Sequence, residues 1–248
     1  MTNTSTPEQW KQRLYDSYLS NGERLPTEAG PETLFRPRSA YLRAVIKRYM
    51  PTDRGVRIVD LGCGHGALLY FLGRAGYHNA LGIDLSTEQV DAAHRLGVTE
   101  ARLGDLEALL IDPLAEHTDV FVAFDVLEHL CGADMFSVLE NIHRNLTSGG
   151  RCIVHVPNAE GIFGMRIRYG DLTHEQAFTA ASLRQAFRSV GFRHVDCFEE
   201  KPTVHGVMSL TRRLIWELGT LWHRALLLAE SRTPRVILSQ NIIAVAVK

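Results

Sequence analysis

The hydrophobic rhythm of the chain changes along its length. Between residues 57 and 158, short apolar runs alternate with longer stretches in which apolar residues return every three or four positions. The runs at 57–61, 78–84, 119–126 and 151–158, with a weaker one at 100–103, predict strands. The periodic stretches at 66–75, 86–96, 106–115 and 132–146 predict helices. Strands separated by helices of this length need crossover connections, which implies a parallel sheet covered on both faces and explains why the strands are so apolar.

On either side of this repeat the pattern differs. Residues 8–19 carry Trp10, Leu14 and Leu19 on one helical side, and a turn-rich NGERLPTEAGP stretch follows. A second helix is predicted over 37–50, with Tyr41, Leu42, Val45, Ile46 and Tyr49 at helical spacing and Pro51 closing it. After Asn158, residues 159–180 mix Gly, Arg, Tyr, Asp and His without period, as a loop over a site would. A helix at 181–189, a strand at 192–198, a long helix over 207–230 and a strand over 235–247 complete the chain. The last two strands are expected to pair as a hairpin with the long helix inserted. The division this gives is an N-terminal helix and linker over 1–36, then a single domain over 37–248.

Composition narrows the function. With 45% hydrophobic and 22% charged residues the chain can bury one sizeable core without metal or disulfide staples. Its 27 Lys and Arg are interspersed with 28 Asp and Glu, for a net charge of -1, so no basic face advertises a nucleic-acid partner. Cys63, Cys131, Cys152 and Cys197 lack CxxC spacing and read as small hydrophobes in a reducing compartment. The opening MTNTSTPEQWKQ has no charged-then-apolar pattern, and no apolar run reaches the ~18 residues of a membrane span. A cytoplasmic location is the expectation.

The densest chemical signal is Val59-Asp60-Leu61-Gly62-Cys63-Gly64-His65-Gly66, an apolar strand running into a GxGxG loop and then a helix. Glycines allow a tight turn and close approach of backbone to a ligand, and the helix start turns its amides toward it. The spacing is not the GxxG-terminated one of dinucleotide sites. Asp84, ending the second strand in LGIDLS, can accept hydrogen bonds from both hydroxyls of a ribose; its other reading is a helix cap, a task Ser86 can fill.

Taken with GDLEAL and FDVLEHL, these segments resemble the class I S-adenosylmethionine-dependent methyltransferases, in particular the ubiquinone-biosynthesis O-methyltransferase-like family. The resemblance runs from Val56 to Asn158 and less specifically to Phe198. It implies an α/β fold: a Rossmann-like, seven-stranded, doubly wound sheet, mostly parallel with one antiparallel strand and helices on both faces. It further implies S-adenosylmethionine as cofactor and S-adenosylhomocysteine as product. Gly62, Gly64 and Gly66, with Cys63 between them, would pass beneath the methionine part, and Asp60 would help hold its amino group. Asp84 would grip the ribose, Asp105 the adenine amino group, and Leu106 and Leu85 would flank the ring. Asp125 would lie beside the reaction centre.

For the reaction itself, His129 is one candidate base. If the helix after the fourth strand starts early, Asp125 and His129 lie four apart on one side; the alternative is a histidine that caps the loop before Gly132. His174 is the other candidate base, in RIRYGDLTHEQAFT, where Arg166, Arg168 and Tyr169 are candidates for binding an anionic acceptor or are plain surface charge. THEQAFT followed by SLRQAF resembles methyltransferases found beside surface-polysaccharide and sugar genes. HEQAF is not HExxH, and no metal is expected. The helix over 207–230 has three readings: a cover for the sheet or site, with Trp216 and Trp222 as an aromatic wall, a homodimer interface, or a peripheral membrane contact. The function expected is O-methylation of a small-molecule hydroxyl, on a sugar or nucleotide-linked sugar. N- or carboxyl-methylation, a quinone precursor, or a non-catalytic cofactor-binding protein are the alternatives.

Overall fold

The computed structural model describes residues 10, 11, 13, 14, 30–106, 108, 115, 117–231 and 236–248. Seven strands form one sheet in the order β3-β2-β1-β4-β5-β7-β6. They are β1 (Ile58–Leu61), β2 (Ala80–Asp84), β3 (Ala101–Leu103), β4 (Thr118–Phe124), β5 (Leu146–Pro157), β6 (His194–Glu199) and β7 (Asn241–Val247). All neighbouring pairs from β3 to β5 are parallel, and β7 runs antiparallel to both β5 and β6. The helices are α1 (Pro31–Tyr49), α2 (Ala67–Arg74), α3 (Thr87–Arg95), α4 (Gly132–Asn145), α5 (Gly164–Arg168), α6 (Ala180–Ser189) and α7 (Val207–Ser231). No helix among the described residues is long and apolar enough to cross a membrane.

Alternation along the central strands divides the core in two. Val120 and Val122 of β4 face α1 and α2, where they meet Phe35, Leu42, Val45, Leu68 and Leu72. Phe121 and Ala123 face the other way, into a cluster with Leu139 and Ile142 of α4 and Phe187 of α6. Each such side chain, fully buried, stabilises the fold by about 1.5–3 kcal/mol relative to exposure. This two-sided burial is what the largely apolar strand runs required.

The predicted helix over 37–50 in fact begins at Pro31. Proline is favoured at a helix start, and two prolines compete for that position here. Starting at Pro31 puts Phe35 in the core, stacked on His65 with ring centroids 5.6 Å apart, and Pro37 is carried inside the helix. The boundary drawn at 36/37 therefore falls within one element. The last strand starts at Asn241 rather than 235. Upstream carbonyls are already engaged: the buried Asn158 amide donates to the carbonyls of Ile237 and Ser239, each at 2.7 Å, and Ile162 N–H donates to that of Leu238. Most of the helices predicted over 8–19 and 106–115, and residue 235, lie outside the described residues.

Candidate active site at the carboxyl ends of the strands

The parallel strands all end on one edge of the sheet, where ligands of open α/β folds bind. The loop from β1 into α2 holds Gly62, Gly64 and Gly66 at φ of 70°, 54° and 82°, a region that side chains disfavour. A Cβ on Gly62 would stand 2.5 Å from Val126 Cγ2, and one on Gly66 would stand 2.8 Å from Val98 Cγ1. The loop is bound to β2 by backbone: Gly62 and Cys63 N–H both donate to the Ile83 carbonyl at 2.8 and 3.0 Å.

Asp84 is fixed on both oxygens. Gly64 N–H donates to Oδ2 at 2.8 Å and Ser86 N–H to Oδ1 at 2.9 Å. Capping of α3 falls to Ser86, whose hydroxyl accepts from Gln89 N–H. Asp84 is thus oriented by the loop it helps shape, with lone pairs left over for hydroxyls. Burial raises its pKa, and those two backbone bonds oppose the rise. Asp60, buried beneath the loop, is pushed up to about 8 by burial and then by the Asp84 charge. Asp105 accepts from Ala108 N–H at 3.0 Å in the turn after β3. Leu85 stands half exposed at the groove, whereas Leu106 is buried in the core below.

Where β4 ends, Asp125 takes φ 56° and the chain turns through a short 3₁₀ segment, Leu127–His129, before α4 begins at Gly132. Asp125 and His129 therefore do not share a helix face as an early helix start would have had it: the left-handed residue breaks helical continuity. Asp125 instead accepts from His155 Nδ1 at 2.6 Å, and His155 Nε2 donates to Glu200 at 2.8 Å. Burial alone would lower the His155 pKa, but two carboxylates, Asp125 foremost, hold it well above the usual value. Burial would likewise raise Asp125, and the His155 charge overrides it, keeping the carboxylate ionised. Arg38 of α1 adds positive charge near Asp125 and His65.

His129 is brought to His174 across 45 residues of chain, their rings edge-to-face at 4.7 Å. The loop carrying His174 is pinned to the turn by Glu175 N–H donating to the Glu128 carbonyl at 2.7 Å. The hydrogen bonds assign the histidine tautomers. Thr173 hydroxyl donates to Asp171 at 2.6 Å, so at 2.8 Å it accepts from His129 Nδ1–H, which leaves the His129 Nε2 lone pair as the basic position. His174 Nδ1–H donates to the Ile167 carbonyl at 3.1 Å. Burial, then the neighbouring His174, lower the His129 pKa, which keeps the ring neutral near pH 7.

Glu128 lies beneath this pair, 1% exposed. Its Oε2 has no hydrogen-bond partner among the described residues. Burial, then Asp125, push its pKa up to about 8. Glu128, His129 and His174 each offer an atom within 4.8 Å of the others, a set able to hold a metal ion. The HEQAF segment alone showed no such set, because the other two donors lie in the β4 turn.

Of Arg166, Arg168 and Tyr169, the last two are engaged with each other and with their own loop. Arg168 donates to the Glu175 carbonyl at 2.7 Å and lies over the Tyr169 ring, which is 71% exposed, so the pair braces its own loop. A cavity of about 360 Å³ opens instead between α1, the segment after β6 and α7, walled by Tyr41, Phe163 and Trp216 and bearing Glu200, Lys201 and Arg212. Tyr41 Oη and Trp216 Nε1 are buried there without partners among the described residues. Through Glu200 and His155 the cavity connects to Asp125. The sequence reading gave no site role to Glu128, His155 or Glu200 and placed Tyr41 only on an apolar helix side; the visible signals were the Glu128-His129 pair and a lone imidazole inside the apolar run RCIVHVPN.

A family model described as a methyltransferase domain matches residues 34–196. The chain belongs to that methyltransferase-domain family. It is 30% identical over 146 residues to a ubiquinone biosynthesis O-methyltransferase of Chelativorans sp. (strain BNC1), covering 52% of this chain and 56% of that one. The chain thus spans about half the length of the curated relatives it matches. In fold it is similar to a SAM-dependent methyltransferase from Archaeoglobus fulgidus, with a TM-score of 0.64, 21% identity, and coverage of 88% of this chain and 97% of that one. It is also similar to Haemonchus contortus phosphoethanolamine N-methyltransferase 2 solved with S-adenosyl-L-methionine, with a TM-score of 0.61, 15% identity, and coverage of 94% of this chain and 60% of that one.

Proposed function

We propose that the chain O-methylates a hydroxyl of a ring-bearing small molecule, with His129 removing the proton. The observation that carries this is the Asp171–Thr173–His129 relay, which fixes a neutral imidazole with Nε2 as its basic atom. The glycine cradle that a Cβ would fill and the backbone-fixed Asp84 fit the methionine and ribose of the cofactor. On this reading Gly62, Cys63, Gly64 and Gly66 run under the methionine, Asp60 and Asp125 face its amino end, and Asp105, Leu85 and Leu106 surround the adenine. S-adenosylmethionine, when bound, supplies an electrophilic methyl group and departs as the neutral thioether with the electron pair of the broken C–S bond. His129 Nε2 accepts the acceptor hydroxyl's proton as the new C–O bond forms. The resulting imidazolium is stabilised by Asp171 through the Thr173 hydroxyl. Positioning of this kind, with proton removal, contributes ~10²–10⁴-fold in rate.

The aromatic walls of the cavity suit a phenolic or sugar ring, and Arg212 suits an anionic group on it. The curated relatives named above act in ubiquinone biosynthesis, which favours testing phenols first. The orphaned Glu128 carboxyl supports a second reading of the proton step: a divalent cation held by Glu128, His129 and His174 would acidify the hydroxyl directly. Incubation with methyl-deuterated cofactor and a panel of phenols, glycosides, nucleotide sugars and amines, read by mass spectrometry, tests the proposal. Label on oxygen is expected; label on nitrogen would overturn it, and loss of transfer on chelation would select the cation.

A further inference from the structure

We propose that α7 is the interface with a second copy of this chain. The helix is built inside out. The side chains it buries are Ser209 and Thr220, and Arg213, Glu217 and Arg224 are half-buried against the body. Arg224 forks onto Glu199 at 3.0 and 3.1 Å, and Glu217 accepts from both Arg213 and Lys201. Ten of the eighteen exposed large hydrophobic residues among the described residues lie on this one helix.

Those residues form a seam with coiled-coil spacing. Val207, Leu214, Leu221 and Leu228 recur every seventh position, with Thr211, Leu218 and Ala225 four residues after each of the first three. Met208, Ile215 and Trp222 make a second row beside it. Projected at helical spacing, this face holds no Asp, Glu, Lys or Arg, and at its centre Leu218 is 68% exposed. Taking ~150–250 Å² for a fully open large side chain, the ten together expose roughly 1,000 Å². A standard interface needs about 800 Å² per partner, and a monomer rarely leaves more than ~600 Å² of contiguous apolar surface open.

Two observations select a second copy rather than a lipid surface. A repeat of seven matches a partner helix, whereas a bilayer imposes no such period. The three arginines of α7 face two glutamates on the same helix, and Arg213 and Arg224 are held by carboxylates, which leaves little attraction for anionic headgroups. Because both copies carry the same seam, the contact closes by a twofold axis with each side burying the other.

Sedimentation velocity on the full chain from about 1 to about 100 μM tests this, since self-association follows mass action. The wild type is expected at twice the chain mass of 27.8 kDa. Leu218→Glu and Leu221→Glu are each expected to weaken the dimer at least about tenfold with unchanged circular dichroism and cofactor affinity. Phe136→Glu, a substitution at an exposed apolar site on α4, should leave it intact. A wild type that stays monomeric at the highest concentration, alone or bound to phosphatidylglycerol–phosphatidylethanolamine vesicles, overturns the proposal, as does a dimer indifferent to both α7 variants.

Discussion

At the ends of β1 and β2 the site is made of backbone; at the ends of β4 and β5 it is made of side chains that meet from far apart in sequence. The glycine loop is held by Ile83 and Asp84, about 20 residues on, through main-chain N–H groups. His129 is held by Thr173, 44 residues away, and His155 by Glu200, 45 residues away. A cradle of backbone amides recognises one cofactor and tolerates little change, whereas an assembly of side chains on loops and late helices can be altered residue by residue to suit a new acceptor. The two halves should therefore fail differently.

The largest effect on cofactor binding is expected from Asp84→Ala, which leaves Gly64 and Ser86 N–H without their acceptor as well as removing the carboxylate offered to the ribose. Cofactor affinity should fall about 100-fold by calorimetry, at roughly 1–3 kcal/mol for each group left unmatched. His155→Gln should cost about 1–2 kcal/mol of stability, since it leaves Asp125 and Glu200 facing one another, with the half-exposed Asp125 partly screened by water. The pH dependence has a definite sign. With its folded pKa raised, His155 stabilises fully below its unfolded value near 6.5 and progressively less as pH rises through the folded value. The difference in Tm between wild type and variant should thus be widest in mild acid, shrink in alkali, and shrink again at low pH, where Asp125, whose pKa is lowered, protonates.

On the acceptor side, Arg212→Ala should raise KM for an anionic acceptor about 5–10-fold with kcat nearly unchanged, whereas Arg166→Ala should change KM less than about twofold. Equal effects would erase the distinction drawn between the cavity and the 159–180 loop. A small effect is also expected from Glu128→Gln, an uncharged near-isostere of a carboxyl whose pKa burial and Asp125 push up to about 8. Because its folded pKa of about 8 exceeds the usual 4.5, the wild type loses stability relative to the glutamine variant as pH rises between those values, after which the gap levels. Activity within about threefold of wild type would favour the imidazole base; loss of activity together with metal content would favour the cation.

The same division explains what the sequence revealed. The strands and helices of the central repeat were legible from local period and the tight turn after β1 from glycines adjacent in the chain, whereas the seven-stranded sheet with one antiparallel strand came from the family resemblance. Pro37 misled because a proline reads as a helix start, and only the burial of Phe35 shows the helix beginning earlier. Arg166, Arg168 and Tyr169 looked like an acceptor site because they cluster in sequence, yet Arg168 is spent on the Glu175 carbonyl. Of the cavity only the Trp216 wall was anticipated, because Tyr41, Glu200 and Arg212 come from three separate segments, and no spacing rule joins them. The apolar face of α7 was visible as a pattern, but the side turned to solvent was not, since a moment along a helix says nothing of which side the fold presents.

The most direct test of the account is the comparison of His129→Asn with wild type at saturating cofactor and acceptor, with cofactor affinity measured on the same preparations. The account predicts an unchanged cofactor Kd and a fall in methyl transfer of about 10²–10³-fold. Transfer at the wild-type rate would show that His129 does not take the proton and would remove the relay from the mechanism.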